Sequence, residues 1–234
     1  MSVIIAVYTP TGIVISGDSR TTGTLNQQIL NPQNSQQQIN VQTMFTISDA
    51  TLKVFNVFGI FGVATFGDAH INNLPIAHYI EQFEIQNAQN QPQTTNDLVT
   101  ELLNYFRQFN PIPRTGFVVA GYDNNDPFVY GVDTFNNTRQ RHNYIQPQNQ
   151  IDYGIVRGGD TDIINRLMNN PQKLPLFEAM NLQDGIDFSR HLIRTTIDQM
   201  RFEPGVPTVG GEIDTLIITS NKTEFLYKKK LNCK

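Results

Sequence analysis

Two uninterrupted apolar runs flank a short turn at the very start of the chain, and they constrain the fold more than any other feature. Val3-Ile4-Ile5-Ala6-Val7 is followed by Thr9-Pro10-Thr11-Gly12 and then by Ile13-Val14-Ile15-Ser16-Gly17. β-Branched runs of this length bounded by Pro and Gly predict two buried strands joined as an antiparallel hairpin. Chain ends are usually slack. Here the N-terminus is predicted to be pinned inside a sheet, so a group at residue 2, including a free α-amine, has a fixed position.

Further strands are predicted at 43–47, 53–57 and 60–65, where apolar residues return after a Gln/Asn-rich stretch over 26–42. That stretch has little apolar surface to bury and reads as a surface insertion, a long loop. A helix is expected from Asp68 to about Gln86. A second runs from Thr94 to Phe109, with Leu98, Leu102, Tyr105 and Phe109 on one face and Pro111 and Pro113 behind it as a stop. A central hairpin follows, Phe117–Tyr122 and Phe128–Asp133, then a strand at 153–156 leading to Gly158-Gly159 and a helix from about Asp160. An amphipathic helix over Leu182–Met200 and a closing hairpin, Ile213–Thr219 with Thr223–Tyr227, complete the order. Strands, two helices, strands, two helices, strands predict an α+β fold of four layers, two stacked antiparallel sheets with helices outside each, in one domain over 1–234.

With 234 residues, 39% of them hydrophobic, the chain can build one continuous core. A net charge of −4 supplies neither a basic face for nucleic acid nor a polybasic membrane patch. The basic run Lys228-Lys229-Lys230 reads as a solvated tail. A single cysteine, Cys233, excludes an internal disulfide framework. No stretch resembles a signal peptide or a membrane span, which points to the cytoplasm. His70 and His78 stand two helical turns apart, too far for one ion, so neither a metal nor a cofactor is expected.

Several strings in this order resemble the proteasome β-subunit family of N-terminal nucleophile hydrolases. Gly17-Asp18-Ser19-Arg20 closes the first hairpin, and Lys53-Val54 opens a strand. Phe66-Gly67-Asp68-Ala69 leads into the first helix. Ala120-Gly121-Tyr122-Asp123, Tyr130-Gly131-Val132-Asp133 and Val209-Gly210-Gly211-Glu212-Ile213-Asp214 follow. No one string is specific, but their order spans nearly the whole chain; the Gln/Asn-rich insertion lengthens the interval from Asp18 to Lys53.

The resemblance implies a nucleophile at the first residue of the mature chain, with its own α-amine as base. An amine with an ordinary pKa of about 7.7–8.0 is suited to accept a proton near neutrality. Ser2, exposed by removal of Met1, matches that position, although serine after an initiator methionine is common in any protein. Lys53 matches the family's site lysine, Asp18 its acidic partner, and a backbone N–H near Ala64 or Thr65 the oxyanion donor. Thr21, Thr22, Phe66 and His70 are expected to line a pocket for an extended peptide. The family's amine-orienting residues are replaced by Arg157, Val206 and Val209, for which Thr208 or Glu203 are candidate substitutes. The implied activity is amide-bond hydrolysis of a peptide or protein; a catalytically silent subunit of the same fold is the alternative. Both imply self-assembly into a ring or helix, with an ATP-dependent unfoldase partner left open.

Overall fold

A computed structural model describes residues 2–31 and 34–230; Met1 and Cys233 lie outside the described residues. The chain runs through β1 (Val3–Thr9), β2 (Gly12–Gly17), β3 (Thr21–Asn31), β4 (Asn34–Ser48), β5 (Val54–Val57), β6 (Phe61–Gly67), β7 (His70–Ile71) and β8 (Leu74–Pro75). Then come α1 (Ile76–Gln86), α2 (Thr95–Phe106), β9 (Thr115–Asp123), β10 (Asp126–Asp133), β11 (Thr138–Arg141), β12 (Tyr144–Ile145), β13 (Gln150–Ile151) and β14 (Gly154–Gly159). The last elements are α3 (Asp162–Leu167), α4 (Leu182–Met200), β15 (Asp214–Ile218) and β16 (Thr223–Tyr227).

The result is a mixed α+β protein whose strand pairs are antiparallel. One five-stranded sheet has the order β14-β1-β2-β15-β16 and another β11-β10-β9-β6-β5. Period-2 alternation divides the opening strand between two environments. Ile4, Ala6 and Tyr8 pack with Val54, Ala64, Val118 and Val129 of the second sheet. Val3, Ile5 and Val7 pack with Ile164 of α3 and Leu192 and Ile193 of α4. On the second sheet, Val63, Phe117 and Val119 pack instead with Ile80 and Phe83 of α1 and Leu98, Leu102 and Phe106 of α2. Each of these strands is apolar throughout because both of its faces are covered.

Helix ends follow local chemistry. Asn181 and Asp184 form a reciprocal capping box at the start of α4, worth about 1 kcal/mol, and the Thr94 side chain caps α2. Two expectations are corrected. The first helix begins at Ile76, not at Asp68, because Asn72 and Asn73 both take positive φ and fold residues 70–75 into a small hairpin ahead of Pro75. Over its described residues the Gln/Asn-rich stretch is not a loop: β3 and β4 pair over most of their length as a two-stranded ribbon, and residues 32–33 lie outside the described residues. Polar side chains can form such a ribbon because the ladder is made by backbone groups, and Ile39, Val41, Thr43, Phe45 and Ile47 do alternate with period 2.

Candidate functional site around Ser2 and Lys53

The opening hairpin sets Ser2 one residue ahead of β1, and the end of β14 holds it there. The Ser2 carbonyl accepts from Asp160 N at 2.7 Å. Gly159, with φ of +89°, makes that approach feasible: a Cβ there would lie 1.8 Å from the Ser2 oxygen. Thr208 Oγ1 in turn donates to Asp160 Oδ2 at 2.6 Å. Of the two proposed substitutes, Thr208 therefore reaches the Ser2 region through Asp160, whereas Glu203 pairs at the surface with Arg166. Arg157 is exposed and donates to Asn165, and Val209 is buried against the helices.

Asp18 follows the end of β2 and is only 1% exposed. A buried carboxylate needs compensating donors, and it has four. Val3 N and Lys53 Nζ donate to Oδ1 at 2.9 and 2.7 Å, while Arg20 N and Gly210 N donate to Oδ2 at 3.1 and 3.0 Å. Lys53, 4% exposed, also donates to the Arg20 carbonyl at 2.5 Å. Burial pushes the Lys53 ammonium below its ordinary pKa, and the Asp18 carboxylate opposes that fall. Asp18 thus ties Val3, Lys53 and the Gly210 turn into one network.

Ser2, Thr21, Thr51, Lys53, Thr65 and Phe66 are among the residues around a cavity of about 20 Å³, room for one water-sized group. Thr21 Oγ1 donates to Thr51 Oγ1 at 2.6 Å on one wall. The Phe66 ring lies over Gly116 and Gly158, where a Cβ would come within 2.3 and 2.4 Å of it. Thr22 is half-buried at the base of the ribbon, and His70 is exposed in β7; neither is among the residues around this cavity.

The placement of the backbone donor at Ala64 is corrected. Ala64 lies inside β6, paired with Val54 on one side and Val118 on the other, with its methyl between the sheets. Successive N–H groups of an antiparallel strand point to opposite sides. Thr65 N donates to Lys53 O at 2.9 Å and Asp68 N to Arg114 O at 3.0 Å. That alternation turns the Gly67 N–H toward the Lys53 side, beyond the start of β5, and Gly67 borders the cavity.

A second buried ion pair lies behind the first and also overturns an expectation. Lys229, read as part of a solvated tail, is only 9% exposed. Its Nζ donates to Asp214 Oδ2 and, at 2.8 Å, to Ser19 Oγ. Ser19 adjoins Asp18, and the Lys229 charge adds to the lowering of Lys53. The signal missed was Asp214, a carboxylate at the head of an apolar strand that requires a cation.

No group of three or more His, Cys, Asp or Glu side chains suited to hold a metal occurs among the described residues. Among them no helix is long and apolar enough to cross a membrane. Comparison with protein-family models finds no match, and comparison with curated protein sequences finds none either.

Proposed function

We propose that this protein is an amide-bond hydrolase of the N-terminal nucleophile type, acting on a peptide or protein through Ser2 once Met1 is removed. The observation that carries the reading is the buried Lys53, paired with Asp18, at the same small cavity as Ser2. A lysine that merely solubilised a surface would not be buried and held by a carboxylate that also binds the backbone beside Ser2. The packing of the α1–α2 pair, two sheets and the α3–α4 pair supports the four-layer sandwich that the order of elements predicts.

In the proposed reaction the Ser2 α-amine accepts the hydroxyl proton as Oγ bonds to the substrate carbonyl carbon. The amine then returns that proton to the leaving nitrogen as the C–N bond breaks. Water hydrolyses the resulting ester. The Lys53 charge favours the unprotonated amine and stabilises negative charge developing at Oγ. The test is intact mass before and after exposure to a peptide epoxyketone, which requires a hydroxyl and a free α-amine on one residue. The expected result is loss of Met1 and a single adduct on Ser2, absent in Ser2→Ala; retention of Met1 with no adduct would sink the reading.

Self-assembly is the second element of the reading, and it holds equally for a catalytically silent subunit. Residues 21–48 carry no charged side chain, and the ribbon exposes Leu25, Ile29, Phe45 and Ile47. Isolated two-stranded ribbons are marginal in water, and edges without charges are prone to pair. A second copy of the chain is the partner these features support.

A further inference from the structure

Three buried side-chain polar atoms among the described residues have no hydrogen-bond partner: Asn56 Oδ1, Thr65 Oγ1 and Glu101 Oε2. Of these residues, only Thr65 borders the Ser2 cavity, and it is just 5% exposed. A buried hydroxyl left unpaired costs stability, so its persistence calls for a partner.

Strand geometry places this hydroxyl. Ala64 and Phe66 pack between the two sheets, so Thr65 faces the other side with Val63. Extending the register Val54↔Ala64 by one residue sets Thr65 opposite Lys53, an alignment that the 2.9 Å bond from Thr65 N to Lys53 O confirms. Directly opposed residues on one face have Cβ atoms about 5 Å apart. Thr65 Oγ1 thus shares a face with the site lysine, its backbone N–H is spent on the ladder, and the space beside it takes one water-sized group.

We propose that the Thr65 hydroxyl is a further catalytic donor for the reaction at Ser2: it hydrogen-bonds the substrate carbonyl oxygen as that atom becomes an oxyanion. As Ser2 Oγ bonds to the carbonyl carbon, the C=O π pair moves onto oxygen. The Thr65 O–H donates to it, while the serine proton goes to the α-amine. The inference rests on the Ser2 reading. It assigns to a side chain a role that the resemblance implies for backbone N–H groups, with the Gly67 N–H as the neighbouring donor.

The experiment measures the rate of epoxyketone adduct formation on the processed full chain and its variants Thr65→Val, Thr65→Ala and Thr65→Ser, with thermal unfolding of each. Loss of one oxyanion donor slows such chemistry about 10²–10³-fold. The expected result is a loss of that size in Thr65→Val and Thr65→Ala, recovery of most of the rate in Thr65→Ser, and no fall in the Tm of Thr65→Val. Thr65→Ala serves the same purpose if valine is not accommodated. Adduct formation in both apolar variants at the wild-type rate would overturn the Thr65 role and leave the Ser2 reading standing. A Thr65→Ser variant as slow as Thr65→Val would overturn it too, because the methyl rather than the hydroxyl would then matter. A wild-type protein that forms no adduct overturns both.

Discussion

Lys53 is pulled in two directions, and the balance is testable. Burial favours its neutral form, while Asp18 at 2.7 Å favours the charged one and offsets part of the fall. A lysine whose native pKa lies below its unfolded value costs stability at lower pH, a cost relieved as pH rises through the interval between the two values. Asp18→Asn removes the opposing charge, so the native pKa falls further and the cost grows. Because the proposed reaction needs Lys53 charged, the alkaline limb of the adduct-formation rate should move to lower pH, by about 1–3 units for a charge pair this close. Rates measured across pH for wild type and Asp18→Asn check this, and an unmoved limb would remove Lys53 from the mechanism. Asp18 and Lys53 were candidates because they match positions of the family that the chain resembles, and their places at the ends of apolar strands supported that choice. The fourfold coordination of Asp18 was not legible in the sequence, because Gly210 is 192 residues away in the chain.

The junction from β14 to α3 fixes Ser2 through backbone contact alone. Gly159 and Gly205 both take positive φ, but only at Gly159 is the space occupied, by the Ser2 carbonyl. Alanine at either position pays the left-handed strain; alanine at Gly159 must also displace Ser2. Gly159→Ala should therefore lose about 1–3 kcal/mol from backbone strain, with an added loss from the clash, and should fail to form the Ser2 adduct. Gly205→Ala should lose only the strain contribution and keep the adduct. Denaturant unfolding and intact mass read the two effects separately, and equal behaviour of the two variants would show that the Gly159 contact does not position Ser2. Among the elements, α4 and the closing hairpin were readable almost to the residue because their apolar periods are strong and their ends carry caps or turns. The start of α1 was misplaced because the apolar pattern of Ile71 and Leu74 fits either a helix or a hairpin, and paired asparagines at positive φ decided for the hairpin.

Across the whole molecule, the ribbon of β3 and β4 is the feature least explained by the packed body. Its exposed apolar residues and lack of charge predict association of the chain with itself. Lysines introduced at Ile29 and Phe45, both exposed, should lower the mass seen in sedimentation without lowering the Tm. An unchanged mass would remove the ribbon from the assembly. The segment was misread as a loop because its composition lacks the apolar surface from which strands are usually inferred. Backbone pairing between two nearby stretches does not need that surface.

Local composition and periodicity determined the buried opening hairpin, the helical segments apart from the start of the first and the end of the second, and the closing strands, whereas Ser2, Asp18 and Lys53 became candidates through the resemblance to the proteasome β-subunit family. The elements depend on properties carried within a few residues: β-branching, helical spacing, caps and turns. Tertiary structure alone decided that Thr65 rather than Ala64 borders the cavity and that Lys229 is buried against Asp214 and Ser19. It also decided that Asp160, braced by Thr208, holds the Ser2 carbonyl. Each of these depends on which strands lie side by side and on their register, and a shift of one residue in register turns every side chain to the opposite face.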